Sequence, residues 1–182
     1  EYRYDGLGRR IQKSITPASG TVVINRYIYD NEAIEFEYDG TNTLMVRYTN
    51  GPGIDEPLIL NRGGQDYFYH VDGLGSVKEL TDSNGTIVQS YIYDSFGQIV
   101  AQIGSLTNPY TYTGREYDSE SGLYYYRARY YDAITGRFIS EDRIGFKGGD
   151  VNLYRYVGNN PVNFIDQTVE GVGIIQWALQ IL

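Results

Sequence analysis

From residue 22 to residue 29 the chain sets Val22, Ile24, Arg26 and Ile28 against Val23, Asn25, Tyr27 and Tyr29. That period of two marks a half-buried strand, although both faces carry some apolar residues. Similar runs recur, each bounded by a turn signal. Asp39-Gly40, Asn50-Gly51, Asp72-Gly73 and Asn84-Gly85 lie between apolar or aromatic stretches, a pattern that predicts hairpins. The clearest spans Ser76 to Tyr93, where Asp82-Ser83-Asn84-Gly85 separates Val77 and Leu80 from Ile87, Val88, Tyr91 and Tyr93. A cluster of aspartate, asparagine and glycine can open a calcium loop, but the terminal glutamate of such a loop is missing, so the segment reads as a turn. The exception to the strand pattern is Val151–Val157. Asp150 and Gly158 bracket it like an N-cap and a C-terminal glycine, which predicts a short helix of about two turns.

The turns share a motif. YDGLGR at Tyr4–Arg9, VDGLGSV at Val71–Val77 and YDSFGQIV at Tyr93–Val100 each place glycine three residues after aspartate. Tyr29-Asp30, Tyr38-Asp39-Gly40, Tyr117-Asp118 and Tyr131-Asp132 continue the theme, the last two with Gly122 and Gly136 four residues on. From Asp72 to Asp94 is 22 residues and from Asp94 to Asp118 is 24, the length of two short strands and two turns rather than of a helical repeat. The chemistry of the motif is structural. An aspartate side chain accepts from backbone amides two residues on, glycine takes a positive φ, and the tyrosine ring packs over the neighbouring strand.

Composition sharpens this picture. Twenty of 182 residues are tyrosine, with 22 glycines and five prolines, a bias toward strands whose rings carry a hydroxyl in need of a partner. Exposed rings also make flat platforms for sugars, so glycan binding stands as an alternative use of the same residues. The length suits one domain. The net charge of −8 repels a phosphate backbone, so nucleic acid is not an expected partner. With no cysteine, disulfides, thiolate metal sites and a cysteine nucleophile are excluded. His70 is the single histidine and lies in the strand-like Tyr67-Phe68-Tyr69-His70-Val71. It reads as a wall residue, and no serine or threonine sits in a nucleophile motif beside it. No metal or cofactor site is expected, and no apolar run is long enough to cross a membrane as a helix.

The segment Tyr112–Asp166, YTGREYDSESGLYYYRARYYDAITGRFISEDRIGFKGGDVNLYRYVGNNPVNFID, is similar throughout to the RHS-associated core. The repeats before it resemble the tyrosine-aspartate (YD) repeats of RHS proteins, of the C component of insecticidal toxin complexes and of teneurins. The resemblance covers about residues 1–166. It implies an all-β fold, a spiralling antiparallel YD-repeat sheet of the shell type with a short helix near the C-terminal core. It also implies a division into a repeat region at 1–111, a core at 112–166 and an apolar tail at 167–182. In the family the shell encloses a variable C-terminal toxin, and an aspartyl-type self-cleavage after the core frees it. The setting implied is secreted or at a bacterial cell surface.

By the same resemblance the two cleavage aspartates are Asp142 and Asp166, 24 residues apart, with the accompanying cation supplied by Arg129 or Arg137. Two carboxylates sharing a proton can divide the work, one as base toward water and the other polarising the scissile carbonyl. The sequence departs from the family pattern here. Arg143 and Gln167 replace the prolines, and Val169-Glu170 stand where glycine and the scissile leucine belong. Self-cleavage is therefore expected to be lost, leaving Asp142 and Asp166 to cap turns and pair with an arginine. The tail Val172–Leu182, VGIIQWALQIL, is apolar apart from Gln176 and Gln180 and suits a docking helix, a last strand of the shell, or the start of a further segment. The implied partners are the remainder of a shell and a toxin cargo, because family shells are several times longer than 182 residues. The alternative is an extracellular fibre or adhesin in which copies of the chain pair edge to edge.

Overall fold

The computed structural model describes residues 1–18, 20–166 and, for backbone alone, 175–177. The strands are β1 (Tyr2–Tyr4), β2 (Arg10–Ile15), β3 (Val23–Asp30), β4 (Ala33–Asp39), β5 (Leu44–Asn50), β6 (Pro57–Arg62), β7 (Gln65–Val71), β8 (Val77–Thr81), β9 (Ile87–Tyr93), β10 (Ile99–Gly104), β11 (Glu116–Asp118), β12 (Leu123–Tyr126), β13 (Arg129–Asp132), β14 (Arg137–Phe138), β15 (Phe164–Asp166) and β16 (Ile175–Trp177). β1 to β10 follow one another in chain order in a sheet, β11 to β14 form a second meander, and β15 pairs with β16. The fold is the antiparallel all-β one expected of a YD-repeat sheet. The chain divides into two compact units, residues 1–69 with 81–86, and residues 70–80 with 87–182.

Among the described residues one turn is built five times. At Asp5, Asp39, Asp72, Asp82 and Asp94 a carboxylate oxygen accepts the amides two and four residues on, at 2.8–3.0 Å. The same aspartate's amide donates to the carbonyl four residues on, and its carbonyl accepts the amide three residues on. That last position needs a positive φ, which Gly85 supplies at +79°, while in the Asp39 copy Asn42 takes +67°; asparagine tolerates this region better than most side chains. The Asp82 segment is thus a hairpin turn, with its carboxylate engaged by Asn84 and Thr86.

In the first unit, cross-strand registers fix the buried face. Tyr27 lies opposite Glu37, Glu37 opposite Val46, and Val46 opposite Arg62. In a second row Tyr48 lies opposite Leu60, and Leu60 opposite Tyr67. Leu60 is 0% exposed, a burial worth about 1.5–3 kcal/mol. Ile28 and Leu44 are half exposed. Polar side chains share the buried face. Arg10, 1% exposed, lies over the rings of Tyr2 and Tyr27 at 5.1 and 5.8 Å. Glu37 accepts a 2.7 Å bond from the Tyr48 hydroxyl.

The second unit is filled by aromatic rings. On β12, Tyr124 and Tyr126 join Tyr112, Tyr131, Phe138 and Tyr156 in one buried cluster, while Tyr125 meets Tyr130 at 5.3 Å. Tyr131 and Tyr156 approach to 4.3 Å between centroids. Their hydroxyls find partners as buried phenols must. Tyr124 donates to the Gly97 carbonyl at 2.7 Å, Tyr131 to Phe96 at 2.8 Å and Tyr93 to Val77 at 2.7 Å. Thr113, Tyr126 and Tyr156 form a hydroxyl chain at 2.8 and 3.0 Å. Gly97, at φ +88°, is required by this packing, because a Cβ there would be driven into the Tyr112 ring.

The helix expected over Val151–Val157 does not form. The Asp150 carboxylate accepts the Asn152 amide at 2.9 Å and the Asn152 side chain accepts the Tyr154 amide at 3.1 Å, side-chain bonds that compete with helical ones. Phe138 then bonds the Tyr154 carbonyl across to β14, and Tyr156 is carried into the core. The short helical elements nearby are 3-10 turns at Gly145–Gly148 and Val157–Asn159. The second contains three consecutive left-handed residues, Val157, Gly158 and Asn159, at φ 38°, 65° and 59°. Of the tail, Ile175–Trp177 is a strand, with Trp177 opposite Phe164 and Ile175 opposite Asp166. Gln167, Val169, Glu170 and the remainder of Val172–Leu182 lie outside the described residues.

Candidate functional site

Arg129 opens β13 after a tight reversal at Arg127, which takes φ +55°. Its guanidinium stacks on the Phe138 ring, 3.6 Å from the centroid, and forks between two carboxylates. Nη1 lies 3.1 Å from Asp142 Oδ2, and Nη2 lies 3.4 Å from Asp166 Oδ2. Nη1 also donates to the Leu153 carbonyl at 3.4 Å. The two aspartates thus converge on one cation, and that cation is Arg129. Arg137 stands elsewhere. It is exposed on β14, opposite Asp132.

Asp142 does a second job. Its Oδ1 accepts the Ile144 amide at 3.0 Å, its carbonyl accepts the Gly145 amide at 2.9 Å, and its own amide donates to Leu153 at 3.0 Å. It is a turn cap and an ion-pair partner at once. Asp166 ends β15, and its main-chain carbonyl accepts a 2.6 Å bond from Arg115 Nη2. Arg115 is 2% exposed and lies over the Tyr126 ring at 4.7 Å. Sequence reasoning missed Arg115. Its signal was the placement of a cation in Gly114-Arg115-Glu116, at the head of a tyrosine-rich stretch where an arginine stem and its planar head find rings to lie on.

Charge organises this centre. One guanidinium, that of Arg129, faces two carboxylates while a second, that of Arg115, holds a main-chain carbonyl, and each arginine is supported by an aromatic face. Burial pushes the Tyr126 hydroxyl up to about 12, and Arg115 opposes that rise; burial also raises Tyr156 well above the usual phenol range. Both remain protonated hydrogen-bonding groups at neutral pH. The arrangement clamps the end of β15 by its side chain and its backbone together. His70 lies on β7, exposed on the wall. In the first unit a cleft of about 450 Å³ is flanked by Asp30, Glu32, Glu35 and Asp55 with Arg47. Among the described residues no three histidines, cysteines or acids group to hold a metal, and no helix is long and apolar enough to cross a membrane.

Comparison with known proteins shows the reach of these features. The teneurin YD-shell family matches residues 1–162. The tRNA3(Ser)-specific nuclease WapA of Bacillus spizizenii is 37% identical over 173 residues, which take in 91% of this chain and 7% of the nuclease. Double-stranded DNA deaminase toxin A of Burkholderia cenocepacia is 30% identical over 194 residues, again 91% of this chain and 13% of the toxin. The crystal structure of TcdB2-TccC3 superposes with a TM-score of 0.74 at 27% identity, covering 92% of this chain and 9% of the solved one. The chain therefore spans a small part of each of these three.

Proposed function

The chain belongs to the teneurin YD-shell family, and we propose that it supplies shell wall and the closing core in a protein that houses and delivers a C-terminal toxin. One observation carries this reading. Nearly the whole chain recurs in two proteins whose names state unrelated chemistries, a tRNA nuclease and a DNA deaminase. A segment similar to parts of both is a poor source for either activity, and this favours housing over catalysis as its contribution. Residues 112–166 are the closing core. The partners are other lengths of shell and the toxin, in an extracellular setting.

A chimera tests this. Residues 1–166 replace the matching segment of the TcdB2-TccC3 shell, and the product is challenged with protease. Shielded cargo is the expected outcome. A chimera that folds and leaves its cargo digestible overturns the reading.

The Arg129 fork serves this function as a clamp, and the chain stays uncleaved after Asp166. Peptide hydrolysis needs the scissile carbonyl held within about 3–3.5 Å of its attacker. Val169-Glu170 in place of glycine and leucine puts a charge where an apolar side chain should dock, and burying it unpaired is costly. Intact mass of the protein extended past Leu182 is the measurement. A fragment ending between Asp166 and Glu170 would defeat the clamp reading, and Asp142→Asn with Asp166→Asn would then show whether the carboxylates did the cutting.

A further inference from the structure

We propose that Asn84, at the tip of the β8–β9 hairpin, is an acceptor for an N-linked glycan. Asn84-Gly85-Thr86 is the one place in the sequence where asparagine stands two before serine or threonine with a residue other than proline between them, the pattern of an acceptor on a surface loop. Asp82 precedes it by two, so the segment reads DSNGT.

The turn itself does not ask for these residues. The copies at Asp5, Asp39, Asp72, Asp82 and Asp94 share their backbone bonds, and each needs aspartate first and a positive φ at the fourth position. The third position is Leu7, Thr41, Leu74 or Phe96 in the other copies, and the fifth is Arg9, Thr43, Ser76 or Gln98. Asparagine at the third and threonine at the fifth coincide in the Asp82 copy alone. Turn formation leaves that pairing unexplained, whereas acceptor chemistry requires it.

The tip is also open. Ser83 to Thr86 are exposed, and a Cβ on Gly85 would meet nothing within 4 Å. The matching position of the Asp94 copy, Gly97, lies against the Tyr112 ring and leaves no such room. Asp82 Oδ1 accepts the Asn84 and Thr86 amides at 2.9 Å each, while the Asp82 amide and carbonyl bond Thr86 and Gly85. Every bond that shapes the acceptor thus lies within five residues. It forms without help from any further length of shell.

The reaction is a substitution at the sugar. Asn84 Nδ2 forms a C–N bond to the anomeric carbon of a lipid-pyrophosphate-linked oligosaccharide. The anomeric C–O bond breaks, the lipid pyrophosphate leaves with the electron pair, and Nδ2 gives up one proton to a base of the transferase. Nothing is oxidised or reduced. In the cell the donor is met on crossing a membrane, so there the inference rests on the extracellular setting proposed above.

Transfer to the purified intact chain removes that dependence, and its failure would sink the acceptor without touching the shell reading. The chain is incubated with a lipid-linked oligosaccharide and a bacterial oligosaccharyltransferase that reads an acidic residue two before the asparagine. Intact mass should rise by one glycan, and a digest should place it on Asn84. Thr86→Ser should keep the modification. Asn84→Leu and Thr86→Gln, which borrow the residues of the Asp72 and Asp94 copies, should lose it at least about tenfold with an unchanged circular dichroism spectrum. An unmodified chain, a glycan on another residue, or a Thr86→Gln variant modified as well as the parent would each overturn the proposal.

Discussion

In the wall of residues 1–69, Arg10 lies buried over two tyrosine rings and Glu37 takes a hydrogen bond from Tyr48. In the meander and loops of residues 112–157, the buried places are filled by rings packed on rings. Both regions begin from tyrosine-rich strands with aspartates at their turns. They differ in how many faces a side chain can cover. A wall side chain packs chiefly along its own sheet, so long amphipathic chains share the apolar work with leucine and valine. A core tyrosine meets several rings and still places its hydroxyl on a carbonyl. Mutational cost should therefore be concentrated in the core and diluted in the wall.

The largest effect tests that difference directly. Tyr156 is 0% exposed and has ring neighbours Tyr112, Tyr126, Tyr131 and Phe138. Tyr156→Ala should cost about 3–5 kcal/mol in urea unfolding, as a large buried ring does. Tyr27→Ala in the wall should cost only about 2 kcal/mol, the value of area burial without a deep cavity. Equal losses would break the comparison.

Glycines with the same backbone sharpen it. Gly85 and Gly97 occupy equivalent turn positions at φ +79° and +88°, but a Cβ meets nothing within 4 Å at Gly85 and collides with the Tyr112 ring at Gly97. Gly85→Ala should cost about 1–2 kcal/mol for backbone strain alone. Gly97→Ala should add about 1–3 kcal/mol of overpacking. A crystal structure of the second variant should show Tyr112 displaced.

Next in size is the clamp. Arg129→Met leaves Asp142 and Asp166 without their shared cation, and about 2–3 kcal/mol should be lost, below the figure for a fully buried pair because all three groups keep some exposure. Arg62→Met, whose nearest Glu37 oxygen lies at 4.0 Å, should cost about 1 kcal/mol or less. Adding Asp142→Asn and Asp166→Asn to Arg129→Met should restore part of the loss, since the stranded charges then disappear.

The turn was legible in the sequence because its chemistry is local. Aspartate, a positive-φ position and the amides between them all lie within five residues, and Asp82–Thr86 forms as its residues dictate. The convergence of Asp142 and Asp166 followed from resemblance to a family and not from spacing. What chose Arg129 over Arg137 was alternation on the short strands β13 and β14, which turns one arginine toward Phe138 and the other to solvent. The helix expected at Val151–Val157 failed because cap residues at both ends say nothing of Asn152 inside, whose side chain captured the Tyr154 amide. Arg115 was hidden for a different reason: its partner, the Asp166 carbonyl, is 51 residues away and a backbone atom has no sequence signature.

The smallest effect concerns acid, and the wall carries opposing groups. Backbone amide donation, from Thr43 to Asp39 and from Thr86 to Asp82, holds both carboxyls below the usual value of 3.8. Glu37 is pushed above 4.5 by burial, against the hydrogen bond from Tyr48 and the charges of Arg62, Lys13 and Arg10. The signs follow from proton counting. Between the lowered and ordinary values the folded turns bind fewer protons than the unfolded chain, so their stabilisation is complete above about 3.8 and drains away as pH falls further. Glu37 behaves in reverse, because its folded form binds a proton more readily than its unfolded form. Acidification from neutral toward 4.5 should therefore stabilise the wall slightly before the turns begin to fail. Urea midpoints across pH 3 to 7 measure both limbs. Glu37→Gln should flatten the upper limb and leave the lower, while Asp82→Asn should shrink the lower limb and leave the upper. The core tyrosines take no part on this scale, since burial moves Tyr126 and Tyr156 up and away from it. An acid-side rise that survives in Glu37→Gln would mean that the buried carboxyl of the wall is not its origin.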